Sequence, residues 1–287
     1  MQTIGWIGAG IMGKSMIRNL MKHGFEVLVY ARTPQKACDI VEQGAKLAPT
    51  IAQCAAQSDV LITMVGFPKD VQEVYFGENG ILAHMHKGSY VIDMTTSSPE
   101  LAKDIYEQAQ KRGIHALDAP VTGGDVGAKN GTLAILVGGE ERDFEACKPI
   151  FQAMGENIQY QGSAGSGQHV KLANQIMIAG TLAGICEAIC YGKRQGLDLM
   201  KMLDSLSTGA AGSRQLELLG PKILKKDNAP GFFIKHFIKD MKLAVKEAEQ
   251  SGITLPVLQR VLQSYQQLEQ RGYGELGTQA LMKCYED

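Results

Sequence analysis

The run Gly8-Ala9-Gly10-Ile11-Met12-Gly13 directly follows the apolar segment TIGWI and opens the helical pattern MGKSMIRNLMKHG. Glycines at that spacing, at a turn from strand to helix, suit a phosphate-bearing ligand. The first permits a tight turn, the second lets backbone amides approach a pyrophosphate, and the third lets the helix pack closely; the helix N-terminus adds partial positive charge. Gly8, Gly10, Ile11, Met12 and Gly13 are therefore expected to hold a dinucleotide.

The next apolar segment, EVLVY, runs into Ala31-Arg32-Thr33. An NAD enzyme usually places Asp or Glu there, against the ribose 2′-hydroxyl, and this chain has neither. Arg32 suits a 2′-phosphate and Thr33 adds a hydroxyl, so NADP is the expected cofactor, with NAD the alternative; the competing reading of Arg32 is a solvated residue, or one that stacks on adenine without discriminating. Further along, Lys171 and Asn174 lie three apart in QHVKLANQIMIAG, which puts them on one face of a predicted helix. That helix is otherwise apolar and rich in small residues, where an exposed lysine would be out of place. His169, two residues from Lys171, points elsewhere and is given no catalytic role.

These residues need elements to position them. As far as about Gln161, the apolar runs TIGWI, EVLVY, VLITM, YVIDM, IHALDA and LAILVG alternate with helical patterns, which predicts an α/β fold with a mostly parallel sheet. VLITM and YVIDM are nearly continuous apolar runs, as strands covered on both faces should be. The turns that end them would line the carboxyl edge of the sheet, where ligands bind in open α/β folds. Met64 and Val65 at the end of VLITM are accordingly placed beside the cofactor. After Gly162 the strand pattern stops, and 167–195, 198–206, 213–226, 232–251 and 254–271 read as helices. Residues 1–162 are expected to bind the dinucleotide and 163–287 to form an all-helical domain, with a long helix joining the two.

The 287 residues are 45% hydrophobic and 21% charged with a net charge of -1, which argues against nucleic acid or a membrane surface as partner. The N-terminus lacks a secretory signal pattern, so the chain is expected in the cytoplasm. The most apolar stretch, 176–186, falls short of the ~20 residues that span a bilayer. Six cysteines without a CxxC pair and six histidines without HExxH give no support to a metal site.

GWIGAGIMGKSMIRNL, DAPVTGG at 118–124, the segment 167–175 containing KLANQ, and KDMKLA at 239–244 resemble, in order and over nearly the whole chain, the four signatures of the β-hydroxyacid dehydrogenases. That family includes 3-hydroxyisobutyrate dehydrogenase, tartronate semialdehyde reductase and the glyoxylate and succinic semialdehyde reductases. The resemblance implies a Rossmann domain followed by a helical domain that mediates homodimers or homotetramers. It implies that Lys171 is the acid/base and that Thr122, Gly123 and Gly124 receive a substrate carboxylate, which one hydroxyl and adjacent amides can do. It further implies Asn174, Gln175 (where many members have Asn), Phe232 and Asp240 on the substrate side, and Thr96 and Lys239 beside the nicotinamide. Phe233 resembles, with Phe232, the aromatic residues that reach the cleft, core packing being the alternative for one of them, and Ser213 sits where several members place a substrate-facing residue, with a helix N-cap as the alternative. The implied activity is hydride transfer between NADP(H) and a small carboxylate-bearing aldehyde or hydroxyacid. Imine reduction on the same fold, where an acid or tyrosine usually replaces the lysine, and a non-catalytic dinucleotide-binding module are the alternatives that Lys171 argues against.

Overall fold

Short apolar runs with almost no polar residue form the central strands β1 (Thr3–Ile7), β2 (Glu26–Tyr30), β4 (Val60–Thr63) and β5 (Tyr90–Asp93). Alternate side chains enter separate cores: Ile4, Trp6, Val60, Ile62 and Ile92 join one, while Ile7, Leu61 and Val91 join the other. A period of two places them on opposite faces of the sheet, and both faces are covered. The computed structural model describes residues 3–286. The remaining strands are β3 (Lys46–Leu47), β6 (His115–Asp118), β7 (Val121–Thr122), β8 (Leu133–Gly138) and β9 (Gly155–Gly162).

The strand order is β3-β2-β1-β4-β5-β6-β8-β7, with β9 paired to β8. Pairing is parallel from β3 through β6, antiparallel between β8 and both β6 and β7, and parallel again between β8 and β9. The connections are α1 (Ile11–Lys22), α2 (Cys38–Val41), α3 (Ile51–Ala56), α4 (Pro68–Phe76), α5 (Ile81–His84), α6 (Pro99–Gln110), α7 (Gly124–Asn130) and α8 (Glu141–Gln152). This is a Rossmann sheet extended by an antiparallel edge. Its chain order reverses between β1 and β4, the position at which such sheets take their ligands.

Register aligns that edge. Tyr30, Ile7, Thr63, Asp93 and Asp118 are successive partners across β2, β1, β4, β5 and β6, and each is the last residue of its strand. The turns after all five strands therefore leave the sheet at one level.

The all-helical part contains most of α9 (Ser166–Arg194), then α10 (Leu199–Ser207), α11 (Arg214–Leu224), α12 (Ile234–Gln250), α13 (Pro256–Gln270) and a 3₁₀ segment at Thr278–Cys284. The two compact units meet between Lys171 and Leu172, inside α9. α9 is 29 residues long, well beyond the apolar stretch visible in the sequence, and by length and mean hydropathy (1.4 over its most apolar window) it could cross a bilayer. Leu182, Ile185, Cys186 and Ile189 of α9 instead join the core of the helical unit. Ser213 caps α11 by accepting from the Leu216 amide at 3.1 Å.

Candidate active site

The turn after β1 is closed by two backbone contacts that exclude side chains. A Cβ on Gly8 (φ +111°) would stand 2.1 Å from the Met64 carbonyl oxygen, and one on Gly13 2.1 Å from the Gly8 carbonyl oxygen. Gly10 is different: it has an ordinary φ of -80° and nothing within 4 Å of where its Cβ would lie. Space is thus kept open in front of the first turn of α1, whose Ile11, Met12 and Gly13 amides precede the first intrahelical donor, Lys14 N–H to Gly10 O. Amides that precede the first intrahelical bond, beside an open cradle, fit the pyrophosphate of a dinucleotide. Trp6 steadies the turn by donating from Nε1 to the Gly8 carbonyl at 3.0 Å.

At the end of β2, Ala31 is buried while Arg32 and Thr33 are exposed. The Arg32 side chain is 85% exposed, and its guanidinium lies 4.0 Å from Asp70, whose other carboxylate oxygen accepts from the Phe67 amide at 3.0 Å at the start of α4. Arg32 is therefore loosely held, and its charge remains available to a ligand. Lys14 and Arg18 are committed instead to Asp39, at 2.7 and 2.6 Å, and Lys14 foremost holds that carboxyl below its usual range.

The turns after β4 and β5 are tied together. Thr63 donates to Asp93 Oδ1 at 2.7 Å, the Thr95 amide donates to the same oxygen at 3.1 Å, and the Val65 amide donates to Thr95 Oγ1 at 3.0 Å. Burial pushes the Asp93 carboxyl up to about 6, against these hydrogen bonds and with help from Asp118. Thr96 is only partly buried between buried Thr95 and Ser97, so its side chain is the one this short loop presents. Neither Asp93 nor Thr95 was singled out by motif reasoning; their signal is position, at and just after the end of YVIDM.

Thr122 ends β7, and Gly123 and Gly124 follow with φ of +130° and +65°. Both glycines are exposed, Thr122 is half-buried, and α7 begins at once, so a hydroxyl and successive amides are offered to solvent. Such a turn can hold an anion.

Lys171 is buried, with 7% exposure, one turn into α9. The start of that helix is anchored by Asp118, which accepts from the Gly165 amide at 2.7 Å and the Gln168 amide at 2.9 Å. Burial raises the Asp118 carboxyl, and those two amide bonds oppose the shift. The Gln168 side chain accepts from the Ser97 amide at 2.9 Å and donates to the Thr95 carbonyl at 2.8 Å. Asp118 was visible only as the head of DAPVTGG, and no motif pointed to Gln168. His169 is exposed.

In the helical unit, Asn174 donates to Gln175 Oε1 at 2.8 Å, and buried Gln175 donates to Asp240 Oδ2 at 2.6 Å. Gln175 thereby commits its amide to bracing Asn174 and Asp240. Lys239 forms an ion pair with the other Asp240 oxygen at 2.9 Å. Phe232 is half-buried, packs on the helical core and meets Phe237 with ring centroids 5.6 Å apart; Phe233 stacks edge-on with His236 at 5.8 Å. Burial foremost, with Lys239 and Lys235 nearby, lowers the His236 pKa.

Residues 3–162 match the family model for the NAD-binding domain of 6-phosphogluconate dehydrogenase, and residues 165–285 match the NAD-binding region of NADP-dependent 3-hydroxyisobutyrate dehydrogenase. The chain belongs to the β-hydroxyacid dehydrogenase family. This dehydrogenase is 52% identical to the uncharacterized oxidoreductase YkwC of Bacillus subtilis, over 99% of each chain. It is 44% identical to the probable mitochondrial 3-hydroxyisobutyrate dehydrogenase-like 1 of Arabidopsis thaliana, covering 99% of this chain and 85% of that one. A solved structure of Mycobacterium tuberculosis 3-hydroxyisobutyrate dehydrogenase with L-serine superimposes with a TM-score of 0.90 and 27% identity over all of both chains. The dehydrogenase is thus an oxidoreductase that uses a nicotinamide dinucleotide and acts on CH–OH groups.

Proposed function

We propose that this dehydrogenase interconverts a small β-hydroxyacid and its aldehyde, with NADP(H) as the preferred cofactor and Lys171 as the proton donor and acceptor. The observation that carries this reading is the burial of Lys171 on a helix whose first turn is bonded to both neighbours of Thr96. A lysine left in water needs no such support, and a buried ammonium calls for a partner in the reaction or in the fold.

The nicotinamide, when bound, supplies or accepts the hydride. Gly8, Gly10 and Gly13 would hold the phosphates, Met64, Val65 and Thr96 would bind the nicotinamide half, and Arg32 with Thr33 would bind the 2′-phosphate. Thr122, Gly123 and Gly124 take the carboxylate, which orients the carbonyl. As hydride reaches the carbonyl carbon, its oxygen gains negative charge; the Lys171 Nζ–H bond breaks and the proton passes to that oxygen, giving the alcohol. In the oxidative direction neutral Lys171 takes the hydroxyl proton back. Asn174 assists on the substrate side, with Gln175 and Asp240 behind it. The relatives named for 3-hydroxyisobutyrate and the structure with L-serine support a carboxylate with a β-hydroxyl as substrate class.

Lys171→Ala should lower turnover by about 10²–10⁴-fold with little change in NADPH affinity. Lys171→Arg keeps the charge but cannot release its proton at usable pH, so it should fail nearly as badly. A folded Lys171→Ala enzyme with most of the wild-type rate would remove the proton donor from this scheme.

A further inference from the structure

We propose that Gln168 is a positioning residue for proton transfer, holding Lys171 in register with the loop that carries Thr96. The inference rests on Lys171 being the proton donor.

The two polar atoms of the Gln168 amide are both matched, and both partners are backbone. Oε1 accepts from the Ser97 N–H and Nε2 donates to the Thr95 carbonyl, so the amide pairs with the peptide groups on either side of Thr96. Gln168, Thr95 and Ser97 are all at most 1% exposed. The same residue's own N–H is fixed at Asp118 Oδ2, while Gly165 N–H is fixed at Asp118 Oδ1. One residue is therefore held at its backbone by the end of β6 and at its side chain by the turn after β5.

The helix cannot slide to relieve these bonds. A Cβ on Gly167 would stand 2.3 Å from the Leu136 carbonyl oxygen and 2.8 Å from that of Asp118, so the first turn of α9 lies flush on β8 and β6. Lys171 follows Gln168 by three residues, a rise of about 4.5 Å at 1.5 Å per residue on the same rigid turn. Rotation or translation at Gln168 is passed to Lys171 undamped. Proton transfer is sensitive to such a shift, since the donor must be within hydrogen-bond reach of the acceptor and a misplacement of about 1 Å can cost about 10²-fold. Merely filling the space would take an apolar side chain of the same length. Gln168 instead specifies where the helix stands relative to Thr96.

Two substitutions keep most of the packing. Gln168→Met retains length and volume and loses both bonds; Gln168→Asn keeps the amide but is a methylene too short to reach both partners. Each should lower kcat by about 10–100-fold while NADPH affinity, read by fluorescence titration, stays within about threefold of wild type. In a Lys171→Ala background the same substitutions should lower kcat by no more than about twofold, because the group they position is gone. Wild-type kcat in folded Gln168→Met and Gln168→Asn overturns the proposal, as does an equal loss with and without Lys171. If Lys171→Ala alone keeps the wild-type rate, the assignment of the proton donor fails first and this inference falls with it; if only Lys171→Ala is impaired, this inference alone falls.

Discussion

The Cβ that Gly13 lacks would stand 2.1 Å from the carbonyl oxygen of Gly8, inside the contact distance of any backbone atom. Gly13→Ala should therefore force the turn apart and lower stability by ~1–3 kcal/mol, as overpacking does. Gly10 has nothing within 4 Å of its missing Cβ and an ordinary φ. Gly10→Ala should keep the wild-type melting temperature and weaken NADPH binding about tenfold or more, equivalent to about 1.4 kcal/mol. Thermal melts and cofactor titration of the pair separate the two roles, and equal destabilisation of both would show that the opening at Gly10 serves the fold alone.

Arg32 is 85% exposed and 4.0 Å from its nearest acid, so removing it should leave stability unchanged. Its contribution should appear only against a 2′-phosphate. Arg32→Ala is expected to lose ~1.5–3 kcal/mol of NADPH affinity and almost none of NADH affinity. Isothermal titration with both cofactors checks this; a parallel loss for both would place Arg32 on the adenine instead.

The Thr122-Gly123-Gly124 turn offers one hydroxyl and exposed amides, a set suited to an anion. Succinic semialdehyde should be reduced far more efficiently than butyraldehyde, which is its uncharged counterpart. Thr122→Val, with the hydroxyl gone and the shape kept, should lower kcat/KM for the acid by about 10–100-fold, the range of one hydrogen bond to a charge, and leave the poor rate with butyraldehyde where it was. Similar efficiencies for the two aldehydes in wild type would make the turn a structural one.

Asp93 is buried and its carboxyl is raised from 3.8 to about 6. Between those values the folded state binds more protons than the unfolded state, so stability falls as pH rises. The stabilisation attributable to this group is fully present below the unfolded pKa and is lost as pH passes through about 6. Asn at this position keeps an oxygen for Thr63 and the Thr95 amide without a charge to bury. Asp93→Asn should accordingly gain on wild type by about 2.5 kcal/mol between pH 4 and 7.5. Urea unfolding at the two pH values tests it, and a mutant-to-wild-type difference that does not change with pH would mean that Asp93 is not the group titrating.

The strands that form the ligand edge were legible because VLITM and YVIDM are buried on both faces and so lack polar interruptions. The five long helices of the second half were legible from their apolar period and their Gly or Pro boundaries. The unassigned elements have weaker signals. β9 (GENIQYQG) is half polar, because it lies at the margin of the sheet; the 3₁₀ segment after Gly277 is defined by distant partners, among them Gln279 donating to the Asp227 and Ala229 carbonyls. Within the site, motif reasoning reached the glycine turns and Lys171 and passed over Asp93, Asp118 and Gln168. Those three act through hydrogen bonds spanning 30 to 73 residues, and spacing along a chain does not report such pairings.

The line between the two compact units falls between Lys171 and Leu172, inside one unbroken helix. A recombinant made by exchanging whole units at that line inherits the glycine turn, Arg32, the Thr122 turn and Lys171 from one parent, and Asn174, Gln175, Phe232 and Asp240 from the other. The hydride and proton chemistry proposed above would then descend through one lineage while the side chains braced by Gln175 and Asp240 descend through another, with the crossover spliced helix to helix and no loop to absorb a mismatch in phase. Domain shuffling in this fold is therefore a question of helical register: parents whose helices differ by a single inserted residue at the junction would rotate the inherited half by about 100°.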